Sequence, residues 1–118
     1  MFKSLTLATA LTFGGTLMAQ AEQIVIEVAT MTLADNMTAE AFAEIDARVD
    51  AEHVSQQPGF ISRKSGFDGD QWIAIIHWES HEAAQASMDS FGSAPAAAEF
   101  MGGVDASSIV MTRYTSAN

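Results

Sequence analysis

One stretch, residues 57–78, QPGFISRKSGFDGDQWIAIIHW, constrains this chain more than any other. Pro58-Gly59 ends whatever precedes it, because proline disfavours helical backbone in its neighbour and glycine opens a turn. Residues 60–67 alternate in part between apolar and polar, as a half-buried strand does. Asp68-Gly69 is the dipeptide favoured at the centre of a two-residue hairpin turn, where positive φ is required. Residues 71–78 then read as a second strand, and it is apolar on both sides. Trp72, Ala74, Ile76 and Trp78 share one face; Ile73, Ile75 and His77 share the other. Such a strand needs cover twice. Helices supply one cover, and the nature of the other bears on function.

The rest of the chain falls into order around this hairpin. Residues 23–31, QIVIEVATM, predict a strand with Ile24, Ile26 and Val28 on one face and Val25, Glu27 and Ala29 on the other. Residues 32–37 read as a loop. Thr38 is placed to cap a helix that carries Glu40 in its first turn, where the helix dipole favours negative charge. Phe42, Ile45 and Val49 recur at helical spacing along its buried stripe, which His53 either extends or leaves at the helix end, with Glu40, Glu44, Asp50 and Glu52 toward solvent. Ser80 caps a second, alanine-rich helix with Glu82 near its start. Gly92-Ser93 ends it, Pro95 opens a short helix over 96–101, and Gly102-Gly103 closes that. A last strand is expected over 108–115. The order β-α-β-β-α-β is the ferredoxin-like α+β arrangement, a four-stranded antiparallel sheet with helices on one face. Nothing in the chain remains to cover the other face, so sheet-to-sheet pairing in a homodimer is expected.

The first 21 residues do not belong to this fold. They combine Lys3 near the start, an apolar run over 5–18 and Ala19-Gln20-Ala21, the grammar of a cleavable signal peptide. The run is shorter than the roughly 20 residues of a membrane span. The expectation is cleavage after Ala21, a folded domain over 22–118, a periplasmic or secreted location, and no membrane attachment afterwards. The formal net charge of −10 repels phosphate backbones and excludes nucleic acid as a partner. Cysteine is absent, which removes disulfides, thiol catalysis and cysteine metal sites.

His77 is the sharpest candidate for chemistry. Imidazole titrates near neutral pH, so if it faces a pocket it orients a phenol or accepts its proton. The plainer alternative is a hydrogen-bonded histidine in a core or interface. Trp72 and Trp78 form an aromatic wall for a flat ligand, or fill a core. Met88, Phe91, Phe100 and Met101 supply the helix side of a pocket or of a core. Glu27 and Arg63 each interrupt an apolar strand and are candidates for a structural charge pair. His53 and His81 stand near helix ends and are expected to be solvated. No histidine pair has metal-ligand spacing, so no metal site is expected. No Gly-rich nucleotide motif occurs, and no cofactor is expected, with haem and flavin left open.

The stretch QPGFISRKSG, then Gly69-x-x-Trp72, then Ile76-His77-Trp78-Glu79-Ser80-His81-Glu82-Ala83, resembles the antibiotic biosynthesis monooxygenase (ABM) domain family. The resemblance runs over about residues 23–115. It implies the dimeric α+β barrel, with a pocket between sheet and helices in each subunit. It also implies cofactor-free oxygenation of phenolic polycyclic compounds or, in another branch, haem degradation. That branch carries a tryptophan midway along the second helix and a histidine about ten residues on. Here the matching helix position is about Ser87 and residues 96–101 hold no histidine, which speaks against haem degradation. The expected function is therefore a cofactor-independent monooxygenase for a small aromatic or polyketide-like substrate; the alternative is a non-catalytic dimeric module for a small apolar ligand.

Overall fold

A computed structural model describes residues 23–118; the leader expected at 1–21 lies outside them. The described chain runs β1 (Val25–Leu33), α1 (Ala39–Glu52), β2 (Phe60–Asp68), β3 (Gln71–Trp78), α2 (His81–Ser90), α3 (Ala97–Gly102) and β4 (Val104–Thr115). The four strands form one antiparallel sheet in the order β2-β3-β1-β4. This is the ferredoxin-like topology, with β3 and β1 central, β2 and β4 at the edges and helices on one face.

Local chemistry accounts for the elements. The Thr38 hydroxyl accepts from Ala41 N at 3.1 Å and the Ser80 hydroxyl from Ala83 N at 3.0 Å, so both long helices begin on side-chain caps. Gly59 takes φ +84°, and a Cβ there would stand 2.5 Å from the Ala83 Cβ. Its carbonyl accepts from Glu79 N at 2.8 Å, which ties the start of β2 to the start of α2. Glycine therefore meets two demands at this turn, backbone conformation and close approach.

Several boundaries differ from the sequence expectation. Strand β1 continues through Thr32 to Leu33, because Thr32 and Leu33 still pair with Asp105 and Val104. The hairpin turn is centred on Gly69-Asp70 rather than Asp68-Gly69, since Asp68 pairs with Gln71 and Gly69 supplies φ +63°. Strand β4 begins at Val104, ahead of an irregularity that the alternation of residues conceals. Thr30 pairs with Val110 but Thr32 with Asp105, so residues 106–109 bulge out of the ladder. The Ser108 hydroxyl accepts from Thr32 N at 2.8 Å and so pins this bulge to β1. A second bulge, between Phe60 and Ser62, sets the facing of β2.

The two faces of the sheet are distinct. Val25, Ala29 and Met31 of β1 and Trp72, Ala74, Ile76 and Trp78 of β3 point toward the helices and are buried. Phe42 and Val49 of α1, Ala84 of α2 and Phe100 of α3 meet them. Ile73, Ile75 and His77 lie on the opposite face with Ile26, Val28, Val110 and Tyr114. No helix among the described residues covers that side. Val110 and Tyr114 are more than half exposed there.

Candidate functional site

The helix-side core is not filled throughout. A cavity of about 360 Å3 lies between the sheet and α1, α2 and α3. Trp78, Ile76, Ala74, Ala29 and Met31 form its floor on the sheet. Val49, Ser87, Met88, Phe91, Phe100 and Met101 contribute from the helical side, and Ile109 and Met111 from β4. The size falls within the range of small-molecule sites, and the wall is nearly all apolar with a few polar groups. Phe91 and Phe100 stand edge-to-face at 5.6 Å, and Phe60 meets Trp78 the same way at 5.8 Å, so the aromatic walls are braced.

Two charged side chains reach this wall, Glu27 and Arg63. Both align with Ile76 in the ladder, Glu27 on the β1 side and Arg63 on the β2 side. They flank the middle of the floor and do not pair with each other, which corrects the expected charge pair. Ile76 occupies the strand between them and holds them about two strand spacings, roughly 10 Å, apart. Each finds another partner. Glu27 Oε2 accepts from Arg113 Nε at 2.7 Å and Oε1 from Trp78 Nε1 at 3.1 Å. Arg113 also donates to Gln85 Oε1 at 2.7 Å, linking β4 to α2. Arg63 makes a two-pronged ion pair with Asp46 at 2.7 and 2.8 Å, and the Ser65 hydroxyl donates to the same carboxylate at 2.6 Å. Both side chains of this second pair are more than nine-tenths buried. The Arg63 Nε is buried with no hydrogen-bond partner.

Of the residues expected at a site, Trp78, Met88, Phe91 and Phe100 line the cavity. Trp72 does not. It packs at the far end of the sheet, edge-to-face on Phe42 at 4.8 Å and stacked under Phe67 at 6.0 Å. Six residues of strand, roughly 20 Å, separate it from Trp78 although both share a face. His77 is also absent from the cavity. The pleat that turns Ile76 and Trp78 inward turns His77 to the open face, where its Nδ1 lies 3.2 Å from the Ser62 hydroxyl. His53 is buried rather than solvated. Its Nε2 lies 3.2 Å from the Ser90 hydroxyl and its Nδ1 3.4 Å from Gln57 Nε2, and it thereby ties the end of α1 to α2. His81 is exposed beside Thr115. Asp50 is half-buried, not on the solvent side.

Asp46 and Arg113 are the partners that the sequence reading missed. Asp46 had a local signal, because it stands on the stripe of Phe42 and Val49 and a carboxylate there needs a cation. Arg113 had none, since its pairing depends on the register of β4. Among the described residues no group of three or more His, Asp or Glu is arranged to hold a metal ion. No helix among them is long and apolar enough to cross a membrane.

No protein-family model matches this chain, and no curated protein does. Solved structures do. SnoaB, a cofactor-independent oxygenase from Streptomyces nogalater, superposes with a TM-score of 0.68 at 19% identity, over 81% of this chain and 95% of that one. A candidate antibiotic biosynthesis monooxygenase of Chloroflexus aurantiacus gives 0.62 at 17% identity, over 80% and 94%. A dimeric ferredoxin-like protein of unknown function from Thermobifida fusca gives 0.62 at 11%, over 80% and 92%. The chain thus has the fold of the ABM oxygenase structures, spanning nearly their whole length.

Proposed function

We propose that this protein is an exported homodimer acting as a cofactor-independent monooxygenase on a small aromatic or polyketide-like substrate held in the helix-side cavity. The apolar cavity floored by Trp78 and flanked by Glu27 carries this reading. The shared fold with SnoaB supports the reaction class. In such a reaction the substrate supplies the electrons. A CH2 between activating groups and O2 become a ketone and water, so one oxygen atom enters the product and the other leaves reduced. The protein's part is to exclude water, hold the ring flat and favour the enolic or phenolate form. Glu27 is the carboxylate positioned for that. Each of its oxygens accepts one hydrogen bond from the protein and retains a lone pair for a substrate hydroxyl. His77 has no part in proton transfer from this cavity, because it lies behind the sheet.

The apolar open face supports the homodimer, as does the dimeric state of the Thermobifida relative. Export rests on the signal-peptide grammar of residues 1–21. A second reading, a module that binds a small apolar ligand without turnover, is favoured by one observation. Every charged group of the cavity wall is already in an ion pair.

Oxygen uptake with anthrone-type and phenolic polycyclic substrates tests the reading. One labelled oxygen atom from 18O2 is expected in each product, and Glu27→Gln is expected to lower kcat by about a hundredfold. His77→Ala is expected to retain activity. Uptake no faster than without protein, across such a panel, would leave the binding module. Sedimentation of wild type and Val110→Glu tests the dimer: the first is expected as two chains, the second as one.

A further inference from the structure

A buried arginine is an unusual thing to find in the wall of an apolar cavity. The two terminal nitrogens of Arg63 are spent on Asp46, which is itself fastened by Ser65. That clamp leaves little freedom to rotate. The remaining donor, the Nε–H, has no acceptor among the described residues, although its side chain is only 6% exposed. Burying an unpaired N–H is unfavourable, and native structures rarely leave one without cause. Glu27 does not relieve it, because Ile76 separates the two across the sheet. Among the described residues two further buried polar side-chain atoms lack partners, Trp72 Nε1 and Asp50 Oδ1, but neither residue lines the cavity. Arg63 does.

We propose that Arg63 Nε–H is the polar anchor of the ligand site, and that the natural ligand is a flat, largely apolar molecule presenting a ketone or phenolate oxygen to it. This rests on the cavity being the ligand site, but not on turnover. The arrangement is polarised: a donor on the β2 side and a carboxylate on the β1 side, with an apolar floor between. A ring system that spans them places its acceptor oxygen at Arg63 and an O–H or acidic C–H toward Glu27. Arg63 thereby sets the orientation in which the ligand enters; its charge is already matched by Asp46, so what it offers the ligand oxygen is the Nε–H hydrogen bond. Asp46 and Ser65 are positioning residues that keep the donor aimed.

The test uses two probes of matched shape, 9-fluorenone and fluorene, with the full mature chain. Fluorenone carries a single acceptor and no donor, so Glu27 gives it no direct hydrogen bond. Affinities are read from tryptophan fluorescence, since Trp78 lies in the wall, and the carbonyl stretch of bound fluorenone from infrared difference spectra. Wild type is expected to shift the carbonyl band below its position in alkane. In the paired variant Asp46→Leu/Arg63→Met, which leaves no orphaned charge, the preference for fluorenone over fluorene is expected to fall by about tenfold or more. An unshifted band in wild type, or the same preference in both proteins, overturns the proposal. Should neither probe bind wild type, the cavity is not the ligand site and both readings fall together. A shifted band without oxygen uptake on any substrate sinks the oxygenase and leaves the Arg63 anchor standing.

Discussion

The two sides of β3 carry almost the same kind of residue and end in different roles. Toward the helices stand Trp72, Ala74, Ile76 and Trp78; toward the other side stand Ile73, Ile75 and His77. On the helix side apolar residues are closed over, and the charges among them are paired and buried. On the open side apolar residues are half-covered by their neighbours, and among the described residues no ion pair accompanies them. Hydrophobicity does not distinguish the two faces. What distinguishes them is the presence of buried charge, which persists only where a fixed partner can be provided. A strand apolar on both faces therefore signals two covers, and the charged residues in neighbouring elements reveal which cover belongs to the same chain.

The largest expected difference between the two faces falls at adjacent residues. Trp78→Ala removes a side chain that is 1% exposed and the hydrogen bond it gives Glu27. It is expected to lower the unfolding free energy by about 3–5 kcal/mol, read from urea titration. His77→Ala, one residue away, is expected to cost less than about 1 kcal/mol in the same measurement. Similar losses at both positions would erase the difference between the faces.

The buried pair sharpens the point. Arg63→Met alone strands the Asp46 carboxylate and is expected to cost about 3 kcal/mol. Adding Asp46→Leu is expected to recover most of that loss, because two well-packed apolar side chains replace a buried ion pair nearly neutrally. If the double variant is as unstable as the single one, packing rather than stranded charge governs this site.

The smallest effect belongs to the surface pair. Arg48 and Glu99 join α1 to α3 through two hydrogen bonds at 2.7 and 2.9 Å, out in solvent. The hydrogen bond from Arg48, with its charge, holds the Glu99 carboxyl below the ordinary carboxylate range. A lowered folded-state value means the stabilisation is present above the unfolded value of about 4.3 and fades as pH falls through the folded value. Carboxyl NMR titration is expected to show Glu99 returning to the ordinary range in Arg48→Ala, with a shallower loss of stability in acid. An unchanged Glu99 titration would contradict the pairing.

Much of the fold could be read in the chain because its signals are local. Thr38 and Ser80 announce helix starts, Pro58-Gly59 and the glycine at 69 mark the hairpin, and the alternation in β3 gives its two faces. The site was less legible. Which face of β3 meets the helices depends on which of two apolar sets packs against Phe42, Val49 and Phe100, and no local rule decides that. Trp72 and Trp78 share a face, yet pleat parity says nothing about where along the strand a cavity opens. The partners of Glu27 and Arg63 depend on bulges and register across 86 and 17 residues of sequence. Asp46 is the exception: a carboxylate on a buried helical stripe was a request for a cation that the chain itself made visible.

In the proposed arrangement the helix side of the sheet takes the small molecule and the open side takes a second copy of the chain. A crystal structure of residues 23–118 soaked with 9-fluorenone tests this directly. Ligand density is expected between Trp78, Phe91 and Phe100, with the carbonyl oxygen at Arg63 Nε, and a partner sheet over Ile73, Ile75 and His77. Ligand seated on the His77 face, with the helix-side cavity empty or collapsed, would contradict it.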